Sequence, residues 1–134
     1  MITGKPFDEM TFDDITHDLD ELIQEKGEVL NTVNIAVNEY VRLKNEYIVK
    51  SNAIRLKPDE IQENLGLSKP ATEKQQQAYI DDKLKDLRQD LRVAEENVST
   101  WKREVDLLDN KISAEKYRVR LMINIWEIRE RVMI

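Results

Sequence analysis

The residues with side chains capable of chemistry are few and unevenly spread. The single His, His17, stands in "DDITHD", with Asp13 four residues and Asp14 three residues before it. Helical acid–histidine pairs serve as metal ligands in bundles when several helices contribute, and here no second His exists. A solvated acidic helix start, with carboxylates favoured by the helix dipole, is the expected reading of that stretch. Glu25-x-x-Glu28 could supply half of a two-helix Mg²⁺ site, but the chain up to Lys57 offers no matching acidic pair. There is no Cys nucleophile and no Gly-rich phosphate loop. The expectation is a non-enzyme with no cofactor and no bound metal.

The informative stretch is "YVRLKNEYIVKSNAIRLK", residues 40–57. Arg42, Lys44, Lys50, Arg55 and Lys57 alternate there with Tyr40 and Tyr47. Cations that track a phosphate backbone, interleaved with rings on which bases stack, are what single-stranded nucleic acid requires of its binder. Residues 29–57 carry these five cations against only Glu39 and Glu46. The competing reading makes the same residues a solvated helix face with both Tyr in the apolar stripe. A second cationic group, Lys111, Lys116, Arg118 and Arg120, is weaker because Asp109 and Glu115 stand ready to pair with it along the helix.

These groups sit in a chain that is acidic overall. The net charge of −6 and pI near 4.9 argue against non-specific duplex binding. The acids concentrate in residues 1–28, where nine of them face two Lys. The chain has no Cys, which suits a reducing compartment, and no apolar run long enough to span a bilayer. "MITGKPFDEM" lacks the apolar core of a signal peptide, so a cytoplasmic location is expected.

The elements that must position the cations are helices. Charged residues make up 36% of the chain against 40% apolar, with three Gly and three Pro, the composition of helical rods that bury a narrow stripe. Thr11 is an expected N-cap with Asp14 at the reciprocal position, and Ile15, Leu19, Leu22, Val29, Val33, Val37, Tyr40 and Tyr47 follow at steps of three and four. Pro58 ends this first long helix, expected over 11–57. "PDEIQENLGLSKPA" is a hinge over 58–71, with room for one short helical turn at 59–65. Thr72 and Gln75 then open a second helix over 72–134.

From Leu84 the second helix carries a stripe at 84, 87, 91, 94, 98, 101, 105, 108, 112, 115, 119, 122, 126, 129 and 133, interrupted only by Glu115 and Arg129. That is about seven heptads at a 3.5-residue period, a left-handed coiled-coil seam. A helix of this length would reach roughly 90 Å, so an extended antiparallel hairpin is expected, with residues 1–10 as an arm. In "VRLMINIWEIRERVMI" apolar residues lie on several faces, and one neighbouring helix covers only one of them. Self-association through the second helix follows as an expectation, carried by Trp101, Val119, Met122, Ile125, Trp126, Val132 and Met133. The alternative is that the segment Ile2–Met10 folds back over the tail.

This architecture resembles short phage recombination mediators of the UvsY type: a helix with a basic end, a polar break, then a long helix with one Trp and a cationic, apolar tail. "STWKREVDLLDNKISAEKYRVRLM" is similar to the latter part of that family, and "KPATEKQQQAYIDD" to the helix openings of phage accessory proteins. The resemblance covers residues 35–123. It implies a homo-oligomer in the host cytoplasm that binds single-stranded DNA, contacts a recombinase and a single-strand-binding protein, and helps load the first in place of the second. Carried onto this chain, the family's basic cluster falls on Lys44, Lys50, Arg55 and Lys57. The acid-rich first segment departs from the family pattern and could imitate DNA on a basic partner surface. Two other functions compete: a helical scaffold or assembly protein without nucleic-acid binding, and an inhibitor that presents its acidic segment to a nucleic-acid enzyme.

Overall fold

In a computed structural model, the described residues form four helices: α1 (Phe12–Arg55), α2 (Pro58–Asn64), α3 (Glu73–Lys83) and α4 (Lys85–Met133). Residues 10–133 are the ones the structure describes, with the backbone alone for Met133, and no strand occurs among them. None of these helices is long and apolar enough to cross a membrane.

Side chains written into the sequence set the helix boundaries. The Asp14 amide donates to Thr11 Oγ1 at 3.2 Å, and the Thr11 amide donates to Asp14 Oδ2 at 2.9 Å, a reciprocal cap with Asp in place of Glu. Thr72 and Gln75 make the same pair of bonds at the start of α3. Lys57, the residue before proline, leaves helical geometry at φ −121° and ψ 67°, and Pro58 becomes the first residue of α2, where a missing amide costs nothing. α2 ends in a Schellman turn: Gly66, at φ 65°, donates to Glu63, and Leu67 donates to Gln62. The stretch expected as one second helix is divided at Leu84, whose backbone leaves helical geometry between α3 and α4.

The chain divides into two compact units, Met1–Val33 with Trp101–Ile134, and Asn34–Thr100. α1 and α4 pack against each other, and each contributes to both units.

In the first unit α1 and α4 run in opposite directions. Ile15 meets Arg118 and Lys26 meets Asp109, so positions rise along one helix as they fall along the other. Met10, Ile15 and Val119 form a buried cluster, with Leu19, Met122 and Ile123 packed on it. Met10 does reach the second long helix, as the folded-back arm required, while Ile2–Glu9 lie outside the described residues. Arg118 closes this end of the unit: it forks onto Glu115 and donates from Nη2 to the Ile15 carbonyl at 3.0 Å.

In the second unit the buried residues are Ala36, Leu43, Ser51, Ile61, Ile80 and Ala94. Ile61 of α2 and Ile80 of α3 are almost wholly buried, so each short helix is held by one apolar anchor.

Candidate nucleic-acid interface

The five cations expected to form the site share a segment of α1 but not a face of it. Steps of two, six, five and two residues point Arg42, Lys44, Lys50, Arg55 and Lys57 in different directions around the helix and its end. Arg42 forks onto Glu39 at 2.6 and 3.1 Å and reaches Glu46 at 3.6 Å. Lys50 pairs with the same Glu46 at 2.9 Å, and Lys57 lies 3.9 Å from Glu60. The hydrogen bond from Arg42 holds the Glu39 carboxyl below its ordinary pKa, and the same bond raises that of Arg42. Both groups are exposed, so the pair is a screened surface contact of little energetic weight. Glu39 and Glu46, the only acids of the segment, thus occupy two of its cations.

Lys44 and Arg55 are placed differently. Lys44 lies over the Tyr40 ring at 5.9 Å and lines a groove of about 640 Å³ in the Asn34–Thr100 unit. α1 contributes Lys44, Tyr47 and Ile48 to this groove; α4 contributes Lys85, Arg88 and Arg92 together with Leu91. Lys85, Arg88 and Arg92 follow at steps of three and four, so one face of α4 carries all three. Against these four cations the lining has one carboxylate, Glu95.

α3 holds the groove's aromatic residue. The Tyr47 hydroxyl donates to Asp81 Oδ1 at 3.4 Å and accepts from Gln77 Nε2 at 3.4 Å. Gln77 also donates to Asp81 Oδ1 at 2.8 Å, and its carbonyl oxygen accepts from Arg55. Asp81 Oδ2 lies 3.7 Å from Arg88. Arg55 therefore connects to the groove through Gln77 rather than lining it, and Asp81 positions both Tyr47 and Arg88.

Lys85, Arg88 and Arg92 escape a reading by local charge, because Asp86 and Asp90 alternate with them and residues 58–100 are acidic in sum. Their common face is the signal that finds them.

The residues expected to join copies also divide. Val119 is buried in its own chain against Met10 and Ile15, and Met122 packs on that cluster. Trp101 is half-buried, Trp126 sits at the edge of exposure, and Ile125 and Val132 are exposed. Met133 ends α4, its side chain outside the described residues. Of the second cationic group, Arg118 is committed to Glu115 and Ile15, and Asp109 pairs with Lys26 rather than with its own helix.

His17 pairs with Glu21, at 3.2 Å, while Asp14 is taken up by the helix cap. His17, Asp18 and Glu21 bring three possible ligand atoms within 4.8 Å of one another, all on one helix. Such an exposed acidic cluster is ordinary at a helix start and does not define a metal centre.

Comparisons with protein families, with curated proteins and with solved structures find no match for this chain.

Proposed function

We propose that the chain is a non-enzymatic, self-associating accessory protein that binds single-stranded DNA along the groove of Lys44, Tyr47, Lys85, Arg88 and Arg92. The observation that carries this reading is the gathering of four cations and one aromatic residue in a single groove of a chain whose net charge is −6. A row of cations follows the phosphates while a ring stacks on a base, with no demand for a particular sequence. One protomer neutralising three or four phosphates binds weakly at physiological salt, and several copies on one strand recover affinity through effective concentration.

The job that best fits such a protein is the one the resemblance implies: loading a recombinase onto strands coated by a single-strand-binding protein. The acid-rich first half of α1, from Asp13 to Glu28, is the surface for a basic protein partner. Fluorescence anisotropy with a labelled oligonucleotide tests the DNA step. Binding that weakens steeply with salt supports it; no binding at low ionic strength removes it.

A helical scaffold without nucleic-acid binding is the second reading, favoured by the pairing of Arg42 and Lys50 with Glu46 and by the apolar side chains left open on α1 and α4. It predicts assembly with no response to oligonucleotide.

A further inference from the structure

α4 carries two apolar faces in the first unit, and the described residues of its own chain cover only one. Leu108, Ile112 and Val119 are buried. On another face, Ala114, Tyr117, Leu121, Ile125, Ile128 and Val132 recur at steps of three and four. Tyr117 is 63% exposed, Leu121 44%, Ile125 52%, Ile128 58% and Val132 79%. Together they form a patch on the order of 500 Å², at the upper end of what a monomer leaves open. It is more than half of the ~800 Å² each partner contributes to a stable complex.

We infer that this face pairs with the same face of a second copy, the two α4 helices antiparallel about a two-fold axis between Leu121 and Ile125. The inference rests on the self-association in the reading above and is independent of DNA binding. Reversal about that axis sets Leu121 of each copy against Ile125 of the other, and the small Ala114 against Val132. Arg120 and Glu127 lie seven residues apart on one flank of the stripe, both exposed, and neither makes an ion pair among the described residues. In the antiparallel pair Arg120 of each copy comes within one residue of Glu127 of the other, so the flank is complementary to itself, as a two-fold interface requires. A parallel, in-register pair sets Ala114 beside Ala114 and brings opposite flanks of the stripe together, so Arg120 and Glu127 do not meet.

Sedimentation of the full chain tests the pairing. The expected mass is a multiple of 15.8 kDa. Leu121→Asp and Ile125→Asp should reduce it with helicity retained, because both side chains lie outside the intrachain core. Glu127→Arg should weaken assembly about tenfold, through like charges set face to face, and the double variant R120E/E127R should restore it. The chain has no Cys, so orientation can be read by mixing L121C with I125C: each should cross-link to the other faster than to itself.

A well-folded single copy at micromolar concentration would overturn the inference. So would an assembly unmoved by either Asp substitution, preferential cross-linking of like variants, or assembly only after residues 1–9 are removed, which would make that segment the occupant. Oligonucleotide binding is a separate readout: intact assembly without binding removes the DNA reading and leaves the interface standing.

Discussion

The Tyr47 hydroxyl donates to Asp81 across 34 residues of sequence, at 3.4 Å, and this contact fixes the one aromatic ring of the basic groove. A ring held at its polar end leaves its face for stacking. Tyr47→Phe should therefore keep most of the affinity for an oligonucleotide, and Tyr47→Ala should lose the stacking contribution, about 1–3 kcal/mol. Asp81→Asn removes the carboxylate beside Arg88 and should tighten binding modestly at low salt. Equal losses in all three variants would mean that the network supports folding and not the groove. Anisotropy combined with circular dichroism makes the distinction.

Arg118 ties α4 to α1 at one end of the first unit. Its side chain is 29% exposed, and it forks onto Glu115 while donating to the Ile15 carbonyl. Hydrogen bonds to charged groups contribute about 1.5–3 kcal/mol, so Arg118→Ala should lower the melting temperature clearly. Arg118→Lys should recover only part of that loss, since an ammonium group cannot fork onto a carboxylate and reach a carbonyl at once. Full rescue by Lys in thermal denaturation would leave charge alone as the explanation.

The glycines offer opposite predictions. Gly27 lies inside α1, and a Cβ built there meets nothing within 4 Å. Gly27→Ala should stabilise by about 0.5–1 kcal/mol through helix propensity. Gly66 has equally open space but sits at φ 65°, so Gly66→Ala should destabilise through left-handed strain. Chemical denaturation of both variants reads the two signs.

Ser51 is buried on α1, and its hydroxyl has no hydrogen-bond partner among the described residues. An unmet buried hydroxyl costs about 1–3 kcal/mol. Ser51→Ala should be neutral or stabilising in the same denaturation experiment. A clear loss of stability would show that the hydroxyl is engaged.

Much of the helical frame is legible in the sequence, because caps are local. Thr11 with Asp14, Thr72 with Gln75, and Pro58 each declare a boundary through side chains within four residues. The break at Leu84 has no such signal: Leu is a good helix former, and the backbone bonds to Ile80 and from Arg88 persist through it. The long seam is legible too, and so is the apolar surplus around the tail, but not that the seam at Leu108, Ile112 and Val119 is covered within the chain while the separate face of Tyr117, Leu121 and Ile128 stays open. Periodicity shows that a face is apolar, not which partner it has.

The groove was legible in half. Lys44 and Tyr47 stand in a basic stretch, whereas Lys85, Arg88 and Arg92 are masked by intervening acids and join Lys44 only when α4 lies beside α1. Linear density also overweights Arg42 and Lys50, because helical spacing hands both to Glu46.

The most direct test compares two sets of substitutions in oligonucleotide binding at two salt concentrations. The triple variant K44A/R88A/R92A should lose most of the affinity and flatten the salt dependence by about 0.7 in log–log slope per lost phosphate contact. The double variant R42A/K50A should bind nearly as the native chain does. Equal or reversed effects, with helicity and assembled mass unchanged in both, would contradict the groove as the DNA-binding site.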